Sequence, residues 1–506
     1  MKNILIAIRS IFKKGRHNVM KIVSLGIGLA VGLVLIAKVY FEQSYDDFYP
    51  DRDRVYQVWA KYQQNGGELK DYPQTSGGIA PTMQQQIPEI ETVTRYTSFG
   101  DWTFTMTDTK MKYSGRCIIA DSCFFDILPR PMLIGNAKEV LSTPMYVLIS
   151  SRIAKNIGGD VIGKNFTVDN SPGRTMTIGG VFEEVPENSH SRYDVIVSMA
   201  SAGRFMWEGS PTNMLGNDRY ISYVKLHKGV NPLALEEQVR TFVNSYFPPE
   251  EQQKVGLSID FSFHKLDNLH KELPQVKRMT WILSLLAFAL IFTAVMNYIL
   301  IVISSIVNRS KEVAVHKCYG ASENNIHGMM FGEALVHIVL SLILALLLIL
   351  AFRGTVEELL ATSLDSLLLS NGSLVLLGIC ILVFFVSGFM PGSLYARIPV
   401  ASAFRNYREN KRIWKKALLL VQFVATGFLV TMLVFVARQY TFMVNDRPGY
   451  AYENLAYCGL AGVDSTSRAK ILDEVMRLPG VAAATTVYQL PFEHASGNNI
   501  LLPGGT

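Results

Sequence analysis

The sequence predicts an α-helical membrane protein of five spans that carries a large mixed α/β domain outside the membrane. Three observations lead there. Of 506 residues, 49% are hydrophobic and only 18% charged, and the mean hydropathy is +0.21, a balance unlike that of a soluble chain. Five apolar runs, 22–41, 281–307, 328–352, 372–390 and 416–437, are long enough to cross about 30 Å of hydrocarbon as helices. Between the first two runs lies a polar segment, 42–280, with room for one or two compact domains. The net charge of +6 is no nucleic-acid signal, because the basic residues cluster beside the apolar runs.

That clustering sets the expected orientation. Residues 1–21 carry Lys2, Arg9, Lys13, Lys14, Arg16 and Lys21 and no acid. Towards the fifth run stand Arg405, Arg408, Lys411, Arg412 and Lys415 with a single acid, Glu409. The 353–371 loop is acidic by contrast, with Glu357, Glu358 and Asp365 against Arg353. Positive-inside bias places the N-terminal 1–21, the 308–327 elbow and the 391–415 linker in the cytoplasm, and 42–280, 353–371 and 438–506 outside. The first run reads as an uncleaved helix, since it outlasts a signal-peptide core and lacks a small-x-small cleavage site. Gly28 and Gly32 give it a small-xxx-small face suited to close helix packing, although glycine is common in membrane helices for other reasons.

In the outer segment, strand-like alternation appears at 54–60, 175–181 and 220–226, and helical spacing at 232–245. Turn clusters at 65–67 and 170–173 separate them. Cys117 and Cys123 share this side and could pair, but free thiols are the expectation for all five cysteines. An internal echo follows. After the first and fifth runs come "MQQQIPEIETVT" (83–94) and "EVMRLPGVAAAT" (474–485), each a short helix ending near Pro before a Thr-containing strand. This suggests a duplicated four-span unit whose second copy, 438–506, is incomplete, so that the chain is a truncation of an eight-span design or ends in a naturally short tail.

Candidate chemistry is sparse. "GGDVIGKN" (158–165) spaces its glycines and lysine like a phosphate-binding loop, but Asn165 replaces the hydroxyl residue and a strand-like stretch follows where a helix is required. No nucleotide, cofactor or metal is therefore expected on this chain. Neither a G-x-S-x-G nor an H-E-x-x-H pattern accompanies Ser189, His190, His264 or His270. Glu333 and His337 share one face near the start of the third run, where ionisable groups are costly in lipid. They read as polar contacts with a neighbouring helix or partner, or as side chains snorkelling to the interface.

The elbow, "NRSKEVAVHKCYGASENNI" (308–326), lies between the second and third runs. The second helix can continue through Glu312-Val313-Ala314-Val315. Gly320 supplies the left-handed residue that ends a helix, and Ser322 can cap the next with Glu323 near its positive end. Physics alone leaves open whether this is a rigid docking feature or an ordinary basic loop.

These residues resemble a known family. "RSKEVAVHKCYGAS" (309–322), with Ile326 and Glu333 beyond, is similar to the R-x-x-E-(I/V)-A-(I/V)-x-K-x-x-G-A-S segment of FtsX-like permeases, the membrane subunits of MacB-type ABC transporters. His316 stands where Arg is usual. "ARIPVASAFR" (396–405) resembles the segment after the fourth span. "DDFYPDRDRVYQV" (46–58), "GGVFEEVPENSHSRYDVIVS" (179–198) and "YVKLHKGV" (223–230) look like the MacB periplasmic core as found in Bacteroidetes-type permeases.

The resemblance implies a permease subunit in the bacterial inner membrane. Its elbow (Arg309, Lys311, Glu312, Val313, Ala314, His316, Lys317, Gly320, Ala321, Ser322 and Ile326) would receive a cytoplasmic ABC ATPase dimer that uses ATP and magnesium. Nucleotide-driven closure would be passed to the outer domains, for export or efflux of peptides, lipoproteins or hydrophobic drugs, with a periplasmic adaptor or outer-membrane protein as further candidate partner. The alternative is a signalling device that activates a cell-envelope partner such as a cell-wall hydrolase without moving cargo.

Overall fold

Among the described residues of the computed structural model, five helices are long and apolar enough to cross a membrane: Asn18–Gln43, Pro274–Ser304, Glu323–Ala351, Ser373–Ala396 and a fifth whose apolar part is Leu419–Asn445. The structure describes residues 17–64, 66–168, 171–216, 218–369, 372–401, 413–445, 454–460, 463 and 465–487. Expectations placed on 1–16, 402–412 and 488–506 lie outside the described residues. Each helix begins or ends away from its apolar run, because hydropathy marks the lipid-facing stretch and the helix itself has polar ends. The second, 31 residues long, reaches about 46 Å at 1.5 Å per residue, more than the hydrocarbon needs.

The first helix lies among the second, third and fourth and holds the bundle core with Leu25, Leu29, Leu33, Ile299 and Val302. Its small residues allow this closeness. A methyl group added at Gly28 would overlap Ala294, and one at Gly32 would overlap Ile291, both on the second helix. Gly26 does the same against Leu344 of the third. The small-xxx-small face is thus a packing face. The fifth helix, Ile413–Asn445, packs little on the others; only 6% of its apolar window is buried.

The outer domain is built on one eleven-stranded sheet. Its strands are β1 (Val55–Gln64), β2 (Lys70–Tyr72), β3 (Ile90–Met106), β4 (Lys112–Ala120), β5 (Met132–Ile134), β6 (Tyr146–Ser150), β7 (Asn165–Val168), β8 (Ser171–Phe182), β9 (Val195–Ser198), β10 (Ile221–Leu226) and β11 (Leu257–Lys265). The order is β11-β1-β10-β3-β4-β9-β6-β8-β5, with β2 on β1 and β7 bridging β3 and β8. Pairing is antiparallel except β4 with β9 and β6 with β8. The strands expected at 54–60, 175–181 and 220–226 are β1, β8 and β10, and the 232–245 helix is a short 3-10 turn, Pro232–Leu235, running into Glu236–Tyr246. That helix packs Val239, Phe242 and Val243 on β1, β10 and β11.

Two expectations need correcting. The second-span helix does not run on into the elbow; it ends at Ser304, and a separate helix, Ile306–Cys318, begins after Ser305. In the later echo, the helix Ser465–Met476 is present, but 481–487 adopts no strand. Among the described residues no neighbouring strand lies beside it, and a lone strand has no ladder for its backbone groups. The 158–165 segment leads into β7 and so has no helix N-terminus to hold phosphate. All five cysteines are free thiols.

Candidate coupling site

At the elbow break three donors converge on one carbonyl. The Val302 carbonyl oxygen accepts from the Ser305 amide at 3.2 Å, the Ser305 hydroxyl at 2.6 Å and the Tyr395 hydroxyl at 3.1 Å. A side chain inserted into the ladder turns a helix, and the elbow helix leaves at that point. Its far end closes as the sequence indicates. Gly320 has φ +84°, the Gly320 amide donates to the Lys317 carbonyl, and the Ala321 amide donates to the His316 carbonyl, both at 3.0 Å. These two bonds form the Schellman pattern. The Ser322 hydroxyl accepts from the Asn325 amide and caps the third-span helix.

Burial divides the elbow residues into two sets. Arg309, Val313, Ala314 and Ile326 are buried in the bundle, whereas Lys311, His316, Gly320 and Ser322 are exposed and Glu312, Lys317 and Ala321 half-buried. Tyr319, which sequence reasoning passed over, is 89% exposed at the tip. The sequence places all of these in one short motif but gives no direction to each side chain.

At the centre of the buried set sits Glu333. One carboxylate oxygen is 2.8 Å from Arg309 Nη1 and the other 3.5 Å from Lys21 Nζ. Lys21 also donates to Asn18 Oδ1 at 3.3 Å, and Glu312 approaches Arg309 Nε at 3.8 Å, so two cations face two acids. The Arg309 guanidinium lies 5.5 Å over the Tyr395 ring, a cation–π contact. One turn on, His337 Nδ1 meets the Tyr298 hydroxyl at 3.2 Å. Glu333 and His337 therefore contact neighbouring helices and do not snorkel. This elbow-end hub ties the first, third and fourth spans to the elbow helix.

A second hub lies at the other end of the first helix. Lys38 Nζ is 2.7 Å from Glu42 Oε1 and donates to Thr362 Oγ1 at 2.7 Å. Glu42 Oε2 is 2.6 Å from His270 Nε2, and the His270 ring stacks on Tyr45 at 3.4 Å. Thr362 belongs to the loop between spans three and four, and His270 to the segment just before span two. The same loop reaches the outer domain, since the Ser363 amide donates to Glu187 Oε2 at 3.0 Å.

The chain leaving the first helix is then fastened to the sheet by Asp46, wholly buried and at φ +60°. Its carboxylate accepts from His190 Nδ1 at 2.7 Å, the Ser189 hydroxyl at 3.0 Å and the His190 amide at 3.3 Å. His190 Nε2 is hydrogen-bonded to the Tyr223 hydroxyl, and burial holds that hydroxyl well above the usual phenol range. Burial likewise pushes Tyr96 up to about 12, and Tyr96 takes a hydrogen bond from Ser191 at 2.8 Å. In the sequence, Ser189 and His190 are adjacent but carry no hydrolase pattern. The buried acid that orients them is 143 residues away in the chain, and no spacing rule finds it.

Among the described residues no group of His, Cys, Asp and Glu could hold a metal ion. The site joins charges across helices, with a polar exposed elbow at one end and a folded domain at the other.

Comparison with known proteins agrees with this layout. A family model described as MacB-like periplasmic core domain matches residues 20–242, and one described as FtsX-like permease C-terminal matches 284–400. Among solved structures, a domain of a putative permease protein from Porphyromonas gingivalis is 33% identical over 43% of this chain and 91% of its own, with a TM-score of 0.40. The periplasmic region of MacB from Actinobacillus actinomycetemcomitans is 16% identical over 41% and 87%, with a TM-score of 0.27. The extracellular domain of the noncanonic ABC-type transporter YknZ from Gram-positive bacteria is 11% identical over 40% and 98%, with a TM-score of 0.29. No curated protein matches. The first family model covers the first span and most of the outer domain, the second covers spans two to four with the elbow, and the chain belongs to the FtsX-like, MacB-type family of ABC transporter permeases.

Proposed function

We propose that this permease subunit couples a separate cytoplasmic ABC ATPase to movement of its outer domain by mechanical transmission. The ATPase dimer sits against the exposed face of the elbow, at Lys311, His316, Tyr319 and Ser322, and uses ATP and magnesium that this chain does not itself bind. The buried residues Arg309, Val313, Ala314 and Ile326 carry the push inward instead of meeting the partner. The chain lies in the bacterial inner membrane with its N-terminus and elbow cytoplasmic and its large domain periplasmic. Export or efflux of peptides, lipoproteins or hydrophobic drugs is the task that suits a large outer domain, with a periplasmic adaptor or outer-membrane protein as a downstream partner.

One observation supports this reading above others. A single helix, Asn18–Gln43, is bonded near its elbow end through Lys21 to Glu333, which also pairs with Arg309, and near its other end through Glu42 to His270. About 25 Å of helix separates Lys21 from Lys38 at 1.5 Å per residue. A rigid element held at both ends transmits displacement, whereas snorkelling charges would not. The test is co-purification. Tyr319→Asp and Lys311→Glu should lose an ABC ATPase that co-purifies with the wild-type chain, while membrane insertion stays intact. Full retention of the ATPase by both variants would contradict the docking assignment.

A further inference from the structure

Lys317 belongs to the elbow motif and was expected to face the ATPase, yet its ammonium points into the bundle. Nζ donates to the carbonyl oxygens of Ala396 at 2.7 Å and Ile398 at 2.8 Å. The fourth-span helix, Ser373–Ala396, ends there, and carbonyls of a last helical turn lack intrahelical donors. A cation at that end also suits the helix dipole. The ammonium therefore bonds the carbonyl that ends the fourth-span helix and one two residues beyond it.

The end of the fourth span is gripped elsewhere too. Tyr395, fully buried, has its hydroxyl 3.1 Å from both the Val302 carbonyl oxygen and the Ser305 hydroxyl at the elbow break, within reach to give its one proton to either. Gly392 has no room for a methyl group beside the His327 ring. Above this lies Pro391 inside the helix. It has no N–H to give the Ser387 carbonyl, so the segment below is joined to the rest of the span by one backbone bond fewer. Farther up, Leu374, Leu377, Leu382 and Phe385 are exposed.

We propose that Lys317 is a positioning residue that clamps the end of the fourth span, below Pro391, to the elbow, so that one displacement of the elbow is handed both to the first span and to the chain continuing towards the fifth. The inference rests on the coupling reading above and assigns a second output to the same elbow.

The test uses the full chain purified with the ABC ATPase that co-purifies, with Cys458 replaced by serine. Spin labels at Cys318, exposed and outside the docking residues, and at position 393 report the elbow against the end of the fourth span. Labels at 318 and 365 report the elbow against the loop at the far end of the bundle. In the unsubstituted clamp, magnesium and a non-hydrolysable ATP analogue should shift the 318–365 distance and leave the 318–393 distance narrow and unmoved. In Lys317→Met the 318–393 distribution should broaden and shift with nucleotide, and Lys317→Arg, which can still donate to both carbonyls, should restore it. An apo 318–365 distance equal to the parent's shows that Lys317→Met is folded; Lys317→Gln replaces it otherwise. If nucleotide leaves 318–365 unchanged in the parent, the coupling reading itself fails. If 318–365 responds but 318–393 stays narrow in Lys317→Met, the clamp alone is overturned.

Discussion

The two ends of the first helix are built from the same ingredients and to different effect. At the elbow end, Lys21, Glu333 and Arg309 have side chains no more than 7% exposed, and every partner projects from a helix. At the domain end, Lys38 and Glu42 are nearly as buried, but their partners Thr362 and His270 stand on connecting segments, and His270 is 16% exposed. Helix-borne charges keep fixed positions relative to one another, whereas a loop-borne partner can follow its own backbone. The first hub is thus a weld within the bundle, and the second is a joint between bundle and outer domain.

This contrast predicts effects in order of size. Glu333→Leu leaves Arg309 and Lys21 buried without their carboxylate, and breaking one side of a buried ion pair costs about 3–5 kcal/mol. The variant should lose most of its thermal stability in detergent; melting within a degree or two of wild type would show that the hub is not a weld, since about 1 kcal/mol already moves a domain of this size by a few degrees. Overpacking the same helix is next. Gly28→Val forces a branched side chain into Ala294 and should cost about 1–3 kcal/mol, read in the same melt. At the joint, Glu42→Gln keeps the shape and removes the charge facing Lys38 and His270. It should lower stability less than Glu333→Leu and raise protease sensitivity of the 353–369 loop, and equal losses in the two variants would erase the distinction.

The smallest effect lies in the outer domain. Lys225, donating to Asp51 at 2.6 Å, with Arg54 adding to it against slight burial, holds the Asp51 carboxyl below the usual carboxylate range. A depressed folded value means that its stabilising contribution is present above the unfolded value of about 3.9 and is lost as pH falls through the folded one. Melting of the outer domain between pH 5 and pH 3 should therefore be less steep in pH for Asp51→Asn than for wild type.

Much of the architecture was legible because it depends on local pattern. Apolar length marked the spans, alternation marked β1, β8 and β10, and Gly320 and Ser322 marked the turn. The contacts that give the site its sense were not local. Lys21 read as part of a basic cytoplasmic flank, yet it is wholly buried against Glu333, 312 residues away. Lys317 read as a partner contact and is instead bonded to the end of the fourth span. The break at Ser305 is contacted by Tyr395, 90 residues on. One signal was available: an acid and a base near the same membrane boundary, Glu333 and Arg309, predict a pair because neither is tolerated alone in lipid.

The most direct test of coupling is nucleotide-dependent labelling of a single cysteine at position 363, whose backbone amide bonds Glu187 of the outer domain. With native exposed cysteines removed, labelling is followed in membranes that contain the co-purifying ATPase, with and without magnesium and a non-hydrolysable ATP analogue. Nucleotide should change the labelling rate in wild type, and Lys21→Met, which unties the first helix from Glu333, should abolish the change while the ATPase stays bound. Equal nucleotide responses in wild type and Lys21→Met would show that the first helix does not carry the signal.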